Sequence, residues 1–466
     1  MTLLDELLAD LREVFATFPD NRKGEVTYGM ADVGMAGFSA FFMQSPSFLA
    51  HQRLLQEEID ASNCDTLFGM DKIPTNARIR QILDEVEPWH LRPCFDQMLA
   101  ALRSRGGLSA FLRLGGRSCI ALDGSEYFCS QKICCANCLT RERSNEKKGK
   151  RSKKKKASKR SKNKKKTTTT TTEQTTTTEF YHAMVVATIV APGHNKAFPL
   201  YPEYIVTQDG AEKQDCERNG AKRWLANNCL LLQDLRPIFL GDDLYACQSI
   251  CETVLQNGAD FLFTAKPESH KTLYEFVEGA ECEELSEPRN VPGKKRIHHY
   301  RWLRGVPIRD GEDAIEVTWI GLIITDAEGE TTYTNQFVTS LDVTAENVGE
   351  IADCARARWK IENESFNVLK NCGYHLEHNF GHGKKNLSML LAGMNLLAFA
   401  MHTVCDCVEP LWQEARKAKG ARKRFFEHIR VATGIMVFPD WEALLTSACG
   451  RRVFPARPFI ITAQPP

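Results

Sequence analysis

The run Ser118-Cys119-Ile120-Ala121-Leu122 is apolar and β-leaning, and it stops at Asp123-Gly124. An acid so placed is expected at the exposed C-terminal end of a strand. A second run, Pro237-Ile238-Phe239-Leu240-Gly241, ends in the same way at Asp242-Asp243. A third acid, Glu362, follows Arg358-Trp359-Lys360-Ile361 within a helical pattern. Two strand-end aspartates and one helix glutamate, far apart in sequence, can converge on a hard-oxygen site for Mg²⁺. Glu364 competes with Glu362, but the two lie about 200° apart on a helix. Arg358, four residues before Glu362, shares its face and favours Glu362.

Working outward, Glu126–Ser130 reads as a strand after a tight turn, and the β-branched run His182–Val190 as another. Residues 210–232 read as a helix, Ala246–Gln256 as a second, and Asp260–Lys266 as a strand. Strand, helix, strand at this spacing predicts a parallel pair with a crossover. Residues 280–342 alternate in short runs joined by Asp-Gly and Glu-Gly turns, an antiparallel β insert. Beyond it, Thr344–Cys372 reads as a helix, Leu387–Cys405 as a buried core helix, and Leu411–His428 as a basic amphipathic helix. Residues 1–110 read as all-helical. Within them a helix capped by Thr75 carries Arg78 and Arg80 outward, compatible with contact to DNA. The expected division is therefore 1–110 helical, 115–405 mixed α/β, and 406–466 a helical tail.

The quoted motifs resemble a DDE transposase of a bacterial insertion sequence. The residues that carry the resemblance are Ala121-Leu122-Asp123-Gly124, Leu240-Gly241-Asp242-Asp243-Leu244-Tyr245, and Arg358-Trp359-Lys360-Ile361-Glu362 running on to Lys370. Gln208-Asp209-Gly210, Lys213-Gln214-Asp215-Cys216-Glu217 and Tyr374 to Gly383 add to it. The likeness spans roughly residues 20–440. It implies a ribonuclease-H-like mixed sheet flanked by helices, interrupted by a β insert before the catalytic Glu. It also implies two Mg²⁺ ions, for which Mn²⁺ can substitute, with Asp123 bridging both, Asp242 on one and Glu362 on the other. The implied partners are double-stranded DNA, both element ends and target, bound by a homodimer in the cytoplasm at the nucleoid, with no membrane. The chain departs from the subgroup at Ala355, where a Tyr is usual, and at Leu369, where a Lys is usual and Lys370 comes next. Alternatives are a nuclease of the same fold that only hydrolyses, and a decayed copy that binds DNA without cutting. A carboxylate-pair glycosidase suits Arg358 less well than phosphate does.

Charge is divided unevenly over the 466 residues. Residues 141–166 carry 16 Lys/Arg against two Glu, a local +14, and the remainder has a net charge of −13. Bulk charge thus does not announce a nucleic-acid partner, and contact has to rest on local groups: Arg358, Lys370, and Arg422-Lys423-Arg424 near the C-terminus. Residues 141–178 are Lys- and Thr-rich and read as a disordered insert in a hairpin loop. The 17 cysteines are scattered, and no export signal is expected from the acidic, amphipathic start, so reduced thiols are expected. Cys135-Ala136-Asn137-Cys138 is a good half-site for tetrahedral Zn²⁺. His378 and His382 offer the other half, with His182 and His375 as rivals. This resembles the zinc arrangement of the recombinase that assembles vertebrate antigen-receptor genes.

Overall fold

The computed structural model describes residues 2–55, 62–145, 175–207, 214–289, 295–451 and 457–458. The Gln208-Asp209-Gly210 motif, Lys213 and most of the Lys/Thr-rich segment lie outside these residues. A mixed, twelve-stranded sheet flanked by helices forms the centre. Its first five strands run in the order Leu139–Asn145, Thr175–Val190, Arg117–Ser130, Ile238–Gly241, Asp260–Thr264. The last three of these are parallel, because the helix Gln248–Gln256 crosses over between Ile238–Gly241 and Asp260–Thr264. Strand Thr175–Val190 is antiparallel to Arg117–Ser130.

The β insert does not stand apart. Its strand Thr331–Thr339 pairs through Phe337–Thr339 with Leu262–Thr264, and Glu316–Thr325, Ile297–Pro307 and Glu283–Pro288 follow outward. The sheet therefore continues through the insert. The flanks of the Lys/Thr-rich segment also differ from expectation. Residues 141–145 and 175–178 are paired strand, with Arg141 and Arg143 each 3.0 Å from the buried Glu179 carboxylate. Local charge is matched there rather than left in solvent.

Leu387–Val408 is the axis of the helical body and is buried on all sides as far as Cys405. It is long and apolar enough to cross a membrane, but 94% of its most apolar window is covered by protein. Met30–Phe42, Arg92–Ser104, the strand pair at Phe198–Pro199 and Pro410–Lys419 all pack on it. The N- and C-terminal segments accordingly share one core. Trp441 Nε1 donates to Leu67 O, and Asn63 Nδ2 donates to Thr433 O and Met436 O. Helices from both the segment expected as a 1–110 domain and the expected 406–466 tail pack on Leu387–Val408. The expected helix at Leu411–His428 is two, Pro410–Lys419 and Arg422–Thr433, broken at Gly420, where φ is +70°.

The axis helix begins at a single carboxylate. Asp84, just past helix Asn76–Leu83, accepts from Lys384 N at 2.8 Å, Lys385 N at 3.0 Å, Asn386 N at 3.1 Å and Leu387 N at 3.0 Å. Those N–H groups have no partners within the helix, and an anion there also meets the positive end of the helix dipole. Replacing Asp84 with Ala is expected to lower unfolding stability by about 2 kcal/mol, with Asp84→Asn between the two. Urea titration checks this; an unchanged midpoint for Asp84→Ala would remove the carboxylate from the cap.

Candidate functional site

Asp123 is not at a strand end. Arg117–Ser130 is one continuous strand with a register shift between Glu126 and Phe128, and Asp123 pairs with Val186 in mid-strand. What ends here is the neighbour on the other side. Cys119, Ile120 and Ala121 pair with Ile238, Phe239 and Leu240, and beyond Gly241 the second chain turns away. Asp242 is the first residue past that strand, close enough to Asp123, in the neighbouring strand, for its charge to act on it.

Gly124 serves close approach rather than a turn. A Cβ there would sit 2.2 Å from Glu217 Oε2. Glu217 opens helix Glu217–Asn227, and its Oε1 accepts from Gly124 N at 3.1 Å and from the Tyr245 hydroxyl at 2.8 Å. Glu217 thus bridges the segments that carry Asp123 and Asp242. Asp242 Oδ1 accepts from Leu244 N at 2.9 Å, which shapes the turn after the strand. Asp243 faces the other way, accepting from Lys266 N and Ser269 Oγ, with His270 Nε2 3.3 Å away.

Glu362 lies in a π-helical turn, Ile361–Phe366, where a single long helix was expected. Arg358 Nη1 donates to Glu362 Oε1 at 2.6 Å and lies 4.0 Å from Asp123 Oδ2. Glu364 lies near Lys360 instead. The wider turn also accounts for the displaced lysine. Leu369 is fully buried, whereas Lys370 lines the open groove with Asp123, Glu362, Phe366 and Asn367, paired at 2.8 Å with Glu377. A π turn adds one residue to the helical register.

Carboxylates outnumber cations in this groove. Burial, then the charge of Glu217, push the Asp123 carboxyl up to about 7; Arg358 opposes this, while Glu362 and Asp242 add to it. Glu217 is raised too, by burial first and by Asp242, against the hydrogen bonds from Tyr245 and Gly124. The four acids offer only oxygen, the donor set hard divalent cations take.

The other residues expected to touch DNA divide. Arg78 is exposed and donates to Gln81. Arg80, expected outward, is half-buried over the Phe48 ring and against Gly381. Arg422 is withdrawn from solvent, donating to the Tyr374 hydroxyl and lying 3.3 Å from Asp406, whose charge Lys196 and Arg416 also meet. It stabilises a buried acid and is not a free cation. Lys423 and Arg424 are exposed.

Around the Cys-x-x-Cys turn, four groups converge: Cys135, Cys138, His182 and His382, with ligand atoms all within 4.8 Å of one another. His378 is not among them, which corrects the expected set. The i, i+4 spacing of His378 and His382 places both on one face only in a helix. Here the backbone is irregular, with positive φ at His375, Gly381 and Gly383. His182 comes instead from the strand beside Arg117–Ser130. Nothing in its local sequence marks it except its place in an apolar run. Cys138, through its hydrogen bond, is the largest of the causes that hold the Cys135 thiol far below its usual range, and the same bond raises Cys138. No family model matches the chain, and no curated protein matches it.

Because the folded-state value of Asp123 lies above the ordinary 3.8 of an aspartate, its stabilising contribution is complete below about pH 4 and lost as pH rises through about 7. Asp123→Asn is expected to raise the melting temperature in divalent-free buffer at pH 8, by on the order of 4 kcal/mol of stability at most. The gain should fade toward about pH 4. A gain independent of pH would show that the ionised carboxylate is not the source.

Proposed function

We propose that the protein is a DNA transposase of ribonuclease-H-like fold, cutting at the ends of its element and joining them to target DNA. The observation that carries the reading is Arg358 set between Asp123 and Glu362, with the charge of Asp242 acting on Asp123 where the parallel strand pair ends. The strand order about Arg117–Ser130, one antiparallel neighbour on one side and two parallel strands on the other, supports the fold assignment.

In this reading Asp123, Asp242 and Glu362 would hold two Mg²⁺ ions, or Mn²⁺ in their place. When bound, such a pair activates an attacking oxygen and stabilises the leaving 3′ oxygen of an in-line displacement. Arg358, between Glu362 and Asp123, has a planar donor fork that would suit a phosphate oxygen. Lys370 tracks the backbone along the groove as its pairing with Glu377 loosens. Exposed Arg78, Lys423 and Arg424 extend the phosphate contacts, and binding is expected to weaken with salt accordingly. A homodimer would bring two element ends together.

The test uses full-length protein, Mg²⁺ and DNA carrying the sequences that flank its own coding region, incubated with a supercoiled target plasmid. Joined products are expected from the wild type, and a loss of at least about 10²-fold from Asp123→Asn, Asp242→Asn and Glu362→Gln, the scale set by removing one stabiliser of developing charge. Nicked DNA without joined product would leave a nuclease, and binding without either product a DNA-binding protein. Glu217 gives a finer check. Gln can still accept from Gly124 N and Tyr245, so Glu217→Gln should keep most of the activity that Glu217→Ala loses. Equal losses in the two variants would show that the charge matters and the bridge does not.

A further inference from the structure

We infer that Cys135, Cys138, His182 and His382 form a closed, four-coordinate Zn²⁺ site that fastens one wall of the groove. Zn–S bonds of about 2.3 Å and Zn–N bonds of about 2.0–2.1 Å, set tetrahedrally, demand ligand separations of about 3.8 Å between sulfurs, about 3.6 Å between sulfur and nitrogen, and about 3.3 Å between nitrogens. The chain supplies 3.8 Å for Cys135 Sγ to Cys138 Sγ. It supplies 3.5 Å for Cys135 Sγ to His182 Nε2, and 3.4 Å from Cys138 Sγ to each of His182 Nε2 and His382 Nε2. The two Nε2 atoms are 3.2 Å apart. Five of the six edges therefore match one tetrahedron, and the sixth, Cys135 Sγ to His382 Nε2, lies within 4.8 Å, so binding would draw these two together.

A disulfide does not fit these distances, because bonded sulfurs stand about 2.05 Å apart. Hydrogen bonding alone fits little better, since it would set Cys138 Sγ against three partners with at most one thiol proton of its own to share. The surrounding groups favour a bound cation. His382 Nδ1 lies 3.1 Å from Gly383 O, which places its proton there and leaves Nε2 a bare lone pair facing the cluster. Cys135 N donates to Cys138 Sγ at 3.3 Å, support suited to a thiolate. His182 is held in orientation by stacking on Tyr127, with ring centroids 5.7 Å apart. On binding, the two thiols release the protons they carry, the imidazoles enter neutral, and two thiolates balance Zn²⁺, leaving a neutral complex in a buried place.

The ligands come from three parts of the chain: the turn after Arg117–Ser130, the strand Thr175–Val190, and the loop before Leu387–Val408. Asn137 Nδ2 donates to Lys385 O at 2.9 Å beside them. The same loop carries Glu377, which pairs with Lys370 in the groove. Zinc thus ties that wall to the strand that holds Asp123.

Elemental analysis of the full chain after exhaustive dialysis is expected to find about one zinc per chain, and X-ray absorption a first shell of two sulfurs and two nitrogens. Cobalt substitution should give the visible bands of a tetrahedral thiolate site. His182→Ala should lose the metal and His378→Ala keep it. Wild-type protein without stoichiometric zinc, or a first shell without sulfur, overturns the proposal even if every variant misfolds. So does retention of zinc by His182→Ala. None of these readings depends on DNA chemistry: zinc found with no strand transfer would overturn the transposase reading alone.

Discussion

Three parallel residue pairs, Cys119–Ile238, Ile120–Phe239 and Ala121–Leu240, set everything at the groove. A slip of one residue in that ladder would turn Asp242 to the opposite face from Asp123. All six residues are fully buried, so the slip would also take apolar side chains out of the core. The register is therefore enforced by packing, and the acids inherit their positions from it. The function of the site is built on hydrophobic burial a few residues away.

The groove concentrates like charge. Glu217, Asp242 and Glu362 each raise the proton affinity of Asp123, and among the described residues Arg358 is the cation that lowers it. Without a cation, this arrangement is a cost that the rest of the fold must offset. Any cation that entered the groove would relieve this repulsion. Glu217 has a separate place in it, since its hydrogen bonds reach both aspartate-bearing segments at once.

The parallel pair was legible because two apolar runs flanking a helix are a local pattern, and so was the pairing of Arg358 with Glu362, because four residues apart on a helix is a local spacing. What escaped depended on contacts no local pattern carries. Asp123-Gly124 looked like a turn, yet the glycine makes room for Glu217. His378 and His382 looked like a pair, but the spacing implied a helix that positive φ at Gly381 and Gly383 prevents. Arg422 looked like a free cation in a basic run, whereas Asp406, on the axis helix of the helical body, draws it inward. The lysine at 370 was visible, and the reason it and not residue 369 faces the groove was the π turn. The packing of Met30–Phe42 and Pro410–Lys419 on Leu387–Val408 escaped for a related cause: hydrophobic periodicity shows that a helix has an apolar face, not which distant helix covers it.

That last point bears on how the protein is made. Met30–Phe42 and Arg92–Ser104 pack on a partner, Leu387–Val408, that is synthesised nearly 300 residues after Ser104. At ribosomal rates of about 5–20 residues per second, the delay is roughly 15–60 s. Throughout it, Phe38, Phe41 and Phe42 have no finished core to enter. The nascent chain thus carries exposed apolar surface until that helix emerges. Overproduction is accordingly expected to fail first in solubility, at the stage of synthesis rather than in the completed fold.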